Sequence, residues 1–195
     1  MNINKKNRNN IFGDKMELKG SKTEKNLYTA FTGEVQAYAK YHYYYEKAKE
    51  EGYEQLAEFF KYTADNELTH ARLIFEKLGF LKDTSKNLED AISAEAFEYN
   101  ELYKEFSEVA KEEGFTQIAK LFQGLRAIEH QHEIRFKALL DNLENNKVFS
   151  KENNVMWECR YCGHIYNGTD TPEVCPVCGK PMAYFQIYNN TFKEN

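Results

Sequence analysis

The sequence predicts a mainly α-helical protein, a four-helix bundle over residues 23–144 followed by a small β-rich four-cysteine domain over 155–195. Three observations predict it. No proline occurs between about 23 and 144, whereas Pro172, Pro176 and Pro181 all fall in the tail that also holds every cysteine. The proline-free stretch is rich in Ala, Glu, Lys and Leu, with apolar residues three and four apart, the spacing of a helix face. That stretch also repeats itself. "AKEEG" at 48–52 recurs at 110–114, an offset of 62, and is followed by "YEQLAEFF" and "FTQIAKLF", as in a duplicated helix pair.

The elements follow in order. Residues 1–22 are rich in Asn and Lys and read as a mobile tail; Met16 within it offers a second translational start beside Met1. Helices are expected at 24–51, 54–79, 86–113 and 116–144. Gly52, Gly79 and Gly114 sit where helices should stop, and Thr84 and Ser85 are plausible N-caps of the third. Residues 145–154 read as a polar linker. Beyond it, short aromatic segments alternate with turn residues, with Trp157, Tyr161, Tyr166 and Phe185 as a small core.

Composition removes several function classes. A net charge of −5 argues against a nucleic-acid face, which would be basic. No apolar run approaches the roughly 18 residues of a membrane span. The N-terminus has no apolar signal-peptide core, so a cytoplasmic protein is expected.

The repeat organises the candidate ligands. "NELTH" places Glu67 and His70 three residues apart, and the offset of 62 gives Glu129 and His132. Residues i and i+3 share a helix face. "TGEVQAY" gives Glu34 on the first helix; "SAEAFEY" gives Glu95 on the third, with a one-residue slip, and adds Glu98. A Glu from each of two helices plus Glu-x-x-His from each of the other two is the pattern known for di-iron carboxylate bundles. Any one of these glutamates reads equally well as a solvated surface residue. The set in register with a repeat does not. Five gathered carboxylates carry −5, which needs metal or protons to compensate. Two ferrous ions bring +4. Carboxylates bridge metals and imidazole suits iron. Tyr41 and Tyr103 follow Glu34 and Glu98 along their helices and are candidates to orient those carboxylates. His42 reads as packed or surface. In "LRAIEHQHEIRF", His130 and Glu133 align with Leu68 and Ala71, neither of which binds metal, so both are expected off the site.

Cys159, Cys162, Cys175 and Cys178 form two C-x-x-C pairs within twenty residues. In a chain without an export signal this spacing indicates a metal site and not disulfides. Four thiolates hold either structural zinc or iron. Gly163 and Gly179 allow the tight turns that aim amides at sulfur. His164 is left as surface.

With these motifs in hand, "GSKTEKNL", "AFTGE", "AKEEGYEQLAEFF", "TADNELTHA", "AEAFE", "EHQHEIRF" and "CRYCG…CPVCG" closely resemble the rubrerythrins, from about Met16 to the C-terminus. The resemblance implies a ferritin-like four-helix bundle with a non-haem di-iron site and a rubredoxin-like domain whose four cysteines hold one iron, three Fe per chain. It implies Glu67 and Glu129 as bridging carboxylates, Glu34, Glu95 and Glu98 as terminal ones, and His70 and His132 as imidazole ligands. Glu98 and His70 would be the pair that exchange at one iron between oxidation states. The expected activity is a peroxidase that reduces hydrogen peroxide to water and protects against oxidative stress. Electrons would come through the four-cysteine iron from rubredoxin or an NAD(P)H-dependent reductase, because no G-x-G-x-x-G follows a strand. A head-to-tail homodimer or larger assembly is expected. The rival readings are ferroxidase or iron storage, a dioxygen-reducing di-iron protein, and a zinc-ribbon interaction module.

Overall fold

The structure is a computed structural model and describes residues 17–189. The expectations of a mobile tail over 1–22 and of a start at Met1 or Met16 concern residues outside these, apart from 17–22. Ser21, at the end of that stretch, already caps the first helix. By packing, the chain divides into two compact units, with the boundary between Lys82 and Asp83. Each is a structure in its own right.

The first unit is a helical hairpin of α1 (Lys22–Glu50) and α2 (Glu54–Lys77). Ser21 Oγ accepts from the Glu24 amide, and Glu24 Oε2 accepts from the Gly20 amide. That exchange satisfies two amide donors left over at a helix start. Gly52, at φ 83°, ends α1, and the Tyr53 amide reaches back to the Ala48 carbonyl. Few side chains adopt that backbone angle, so glycine terminates here. Ala57, Ala64 and Ala71 are buried, two turns apart along α2, and Ala48 is buried on α1. Small residues at this spacing let the two backbones approach closely. Flanking aromatics close the seam: Tyr41 stacks on Phe60 with centroids 6.5 Å apart, and Tyr44 meets the same ring edge-on at 5.5 Å.

The second unit repeats the hairpin with α3 (Thr84–Phe97), a π-helical turn (Glu98–Leu102), α4 (Tyr103–Glu112) and α5 (Thr116–Glu144). Its aromatic cluster copies the first. Tyr103 stacks on Phe122 at 6.0 Å and Phe106 packs on Phe122 at 5.5 Å, positions that are Tyr41, Phe60 and Tyr44 shifted by 62. Ala110 and Ala119 are buried like Ala48 and Ala57.

Two expectations for the third helix need correction. Its N-cap is Asp83, whose side chain accepts from the Lys86 amide; Thr84 and Ser85 lie inside the helix. The carboxylate of Asp83 serves better there because it also meets the positive end of the helix dipole. The helix is also not continuous to 113. The Tyr103 amide bonds the Glu98 carbonyl, five residues back and not four. This wide turn accounts for the slip in the repeat. Before it the offset is 61, Glu34 to Glu95; after it the offset is 62, Tyr41 to Tyr103 and Ala48 to Ala110. The extra residue is absorbed where the π turn sits.

A three-stranded antiparallel sheet, ordered β2-β1-β3, follows: β1 (Ser150–Cys159), β2 (Ile165–Asp170) and β3 (Phe185–Ile187). β1 begins inside the stretch read as linker, so the connection from α5 is 145–149. Lys151 Nζ, on β1, donates to Asn142 Oδ1 on α5 at 2.6 Å. The module's core is Trp157 and Phe185 packed on Cys159 and Cys175. The Trp157 indole N–H donates to the Gly168 carbonyl at 3.0 Å. Tyr161 and Tyr166, expected in this core, are exposed: Tyr166 faces Trp157 across the strand pair but sits on β2 at the edge of the sheet, and Tyr161 sits on the turn after Cys159. No helix among the described residues is long and apolar enough to cross a membrane.

The cap assignment makes a measurable difference. Asp83→Ala should lower stability by about 1 kcal/mol, whereas Thr84→Ala should change it by less than about 0.5 kcal/mol, both read from denaturant unfolding followed by circular dichroism.

Candidate metal centres

Each hairpin brings together three of the expected ligands. In the first, His70 Nδ1 lies 3.0 Å from Glu67 Oε2 and 3.5 Å from Glu34 Oε2. In the second, His132 Nδ1 lies 2.7 Å from Glu129 Oε2 and 3.5 Å from Glu95 Oε2. In both triads the ligating atoms fall within 4.8 Å of one another. The sequence repeat is therefore a repeat of site geometry. The E-x-x-H spacing sets Glu and His one turn apart on α2 and on α5, and the facing helix contributes the second carboxylate. Glu129 and Glu67 are the least exposed of the side chains, at 12% and 18%. Hydrogen bonding to Glu34, then to His70, holds the Glu67 carboxyl below its ordinary range against the effect of burial.

The second triad has an extra member. Burial, then the charges of Glu129 and Glu95, push the Glu98 carboxyl upward; Glu98 is near enough to feel that cluster but is not among the three residues whose ligand atoms lie within 4.8 Å of one another. The Tyr103 phenol is raised by burial and then by Glu98, Glu129 and Glu95; it stays protonated and can donate toward them. Tyr41 occupies the matching place in the first hairpin, with its ring packed on Phe60 and Tyr44.

The other residues fall where the repeat put them. His42 lies between the Tyr38 and Tyr45 rings and 3.7 Å from Glu46. His130 and Glu133 pair with each other at 3.3 Å, and Lys137 Nζ meets the other oxygen of the buried Glu133 at 2.6 Å. What sequence reasoning missed is a brace beside this pair. Arg126 Nε donates to the Tyr99 carbonyl at 2.7 Å, and the His130 ring stacks on Tyr99 at 4.2 Å. The available signal was an arginine where the repeat has Ala64.

The four cysteines converge, with Cys159 Sγ and Cys178 Sγ 3.7 Å apart and Cys162 Sγ and Cys175 Sγ also 3.7 Å apart. Four sulfurs at about 2.3 Å around one tetrahedral ion are about 3.8 Å from each other, so the set fits a metal. The glycines behind the knuckles, Gly163 and Gly179, have φ of 75° and 71°. For Cys162, the His164 amide favours the thiolate, but burial and the other three sulfurs outweigh it and push the thiol up to about 12. For Cys175, burial opposes ionisation, but the Cys178 and Val177 amides with the neighbouring thiols bring it down to about 7. One thiolate forms readily here; four need a cation.

The "Rubrerythrin" family model matches residues 25–140 and again 86–159, and the "Rubrerythrin, rubredoxin-like domain" model matches 157–186. The chain belongs to the rubrerythrin family. Rubrerythrin-1 of Clostridium acetobutylicum is 41% identical over 192 residues, 90% of this chain and 98% of that protein. Rubrerythrin of Nitratidesulfovibrio vulgaris is 39% identical over 183 residues, 87% and 96% of the two chains. A solved structure of nigerythrin in a partially reduced state is 27% identical over 91% of each chain, with a TM-score of 0.34; family membership rests on the sequence matches. Rubrerythrins are iron-based oxidoreductases that carry a di-iron site of Glu and His and a rubredoxin-like iron on four cysteines, consistent with three Fe per chain. Their helical part is a ferritin-like domain.

Glu133 gives the second unit an acid sensitivity of its own. Its hydrogen bond from Lys137, against burial and helped by His130, holds the carboxyl below the ordinary range. A lowered carboxyl stabilises the fold above the unfolded value of about 4.3. That contribution is lost as pH falls through the folded value. Glu133→Gln should flatten this part of the stability–pH curve, read by thermal unfolding between about pH 3 and 6.

Proposed function

We propose that the protein is a peroxidase reducing hydrogen peroxide to water, H2O2 + 2H+ + 2e− → 2H2O, in protection against oxidative stress. The observation that carries this reading is one chain bearing both carboxylate–histidine triads and a four-thiol cluster, donor sets that would suit a two-electron centre and a one-electron relay. Glu34, Glu67 and His70 of the first unit and Glu95, Glu98, Glu129 and His132 of the second would hold the iron. When bound, that iron would supply the two electrons that the reduction of peroxide consumes.

The chain's own groups do the rest. The carboxylates offset the positive charge of the metals. Glu98, close enough to Glu129 and Glu95 to feel their charges, adds a further carboxylate to the donors of the second unit. Tyr103 donates to the carboxylates it faces and keeps their orientation, and Tyr41 takes that part in the first hairpin. The thiolates of Cys159, Cys162, Cys175 and Cys178 would hold an iron able to supply electrons one at a time. The reductant is a partner, reduced rubredoxin or an NAD(P)H-dependent reductase. The working form is a head-to-tail homodimer or larger assembly in the cytoplasm.

Iron storage or ferroxidase chemistry is the second reading, but it gives the four-thiol cluster nothing to do. Metal analysis of the anaerobically purified protein should find about three irons per chain; zinc at the cysteines rules out the relay. In stopped-flow mixing, peroxide should reoxidise the reduced protein much faster than dioxygen does, and the reverse order replaces peroxidase with oxidase. Glu98→Ala should keep the helical circular dichroism and lose most turnover. Undiminished turnover takes Glu98 out of the reaction.

A further inference from the structure

The π turn leaves one backbone carbonyl over. In a regular helix the Tyr103 amide would bond the Tyr99 carbonyl; here it bonds the Glu98 carbonyl instead. The released Tyr99 carbonyl is taken by Arg126 Nε of α5 at 2.7 Å. The same guanidinium lies over the Tyr99 ring, 4.7 Å from its centroid, while His130, one turn on, stacks against that ring at 4.2 Å and 16°. The internal repeat supplies a control. In the first hairpin α1 runs without a π turn, and the residues matching Arg126 and His130 are Ala64 and Leu68. The brace is present in the half that has the wide turn and absent from the half that does not.

We propose that Arg126 is a positioning residue of the metal site: by holding the Tyr99 carbonyl it fixes the π turn and so keeps Glu98 aimed at Glu95, Glu129 and His132. Without the brace the turn can relax toward an α-helix. One residue of register rotates a side chain by about 100°, which swings Glu98 off that face. Glu98 opens the turn and Tyr103 closes it, so the register of both depends on a residue that touches neither. The inference rests on reading Glu98 as a metal-site residue.

The test is manganese(II) binding to the metal-stripped full-length chain, counted by loss of the free-ion EPR signal. Manganese suits carboxylate and imidazole and leaves thiolates aside. Arg126→Ala and Glu98→Gln should each weaken binding about tenfold or more, the range for lost outer partners. The double variant should bind no more weakly than Glu98→Gln alone, because the arginine acts through that glutamate. Arg126→Lys, which keeps a donor for the carbonyl, should recover most of the affinity. His130→Ala, which removes only the stacked ring, should bind as the unsubstituted chain does. Unchanged binding in Arg126→Ala beside weakened binding in Glu98→Gln overturns the positioning role, as do additive losses in the double variant. Unchanged binding in Glu98→Gln overturns instead the reading of Glu98 on which the inference rests. Should Arg126→Ala not fold, Arg126→Lys is compared with Arg126→Met, and equal affinities overturn the proposal.

Discussion

Like charge held at close range is the constraint on which the rest of this structure depends. Two carboxylates about 4 Å apart repel by about 4 kcal/mol at an effective dielectric of 20, and the chain builds such a pair twice and adds Glu98 to the second. It then gathers four thiols with sulfurs 3.7 Å apart. Among the described residues, cations pair with acids outside these clusters, as Lys137 does with Glu133 and Arg72 with Glu76. Opposing directions among the thiols, Cys175 down and Cys162 up, are what a cluster shows when it accommodates only part of its charge. The missing term is a multivalent cation, and both donor sets suit iron.

Duplication is how a short chain meets that constraint. A helical hairpin with an alanine seam can be copied whole, and every copy carries its Glu, its Glu-x-x-His and its aromatic triad with it. The ring distances in the two copies, 6.5 and 6.0 Å for the stacked pair and 5.5 Å in both for the second pair, show how little the packing has drifted. Side chains held by the same neighbours present their ligand atoms in the same way, so metal-site geometry is inherited through packing.

The helices, their glycine stops and the ligand triads were legible in the sequence because each depends on local spacing. Gly52, Gly79 and Gly114 end helices wherever those helices pack, and Glu67 with His70 share a face on any α-helix. The convergence of four cysteines was legible for the same reason. The errors came where a tertiary partner decides. Tyr161 and Tyr166 look like core by residue type, but a turn and an edge strand leave them exposed. Thr84 and Ser85 are good caps, but Asp83 comes first. The π turn was visible only as a slip between offsets of 61 and 62, which says that one residue is extra but not how the backbone absorbs it. How two helices share a free carbonyl cannot be read from either helix alone.

The two halves are therefore most informative where they differ. A released, poorly solvated carbonyl costs about 1–3 kcal/mol, and a hydrogen bond from a charged donor offsets about as much. An Ala64-like residue at 126 would leave that cost unmet, so the insertion in the third helix and the arginine on the fifth form one change and not two. Around it the apolar positions Leu68 and Ala71 have become His130 and Glu133, and Phe75 has become Lys137. Polar groups have thus replaced packing along one side of α5 while the ligand face of the same helix kept its Glu-x-x-His. What this asymmetry adds near the second triad is a further carboxylate, Glu98, and a phenol, Tyr103. Both halves carry the same ligand triad, and the second also sets a further carboxylate and a phenol near it.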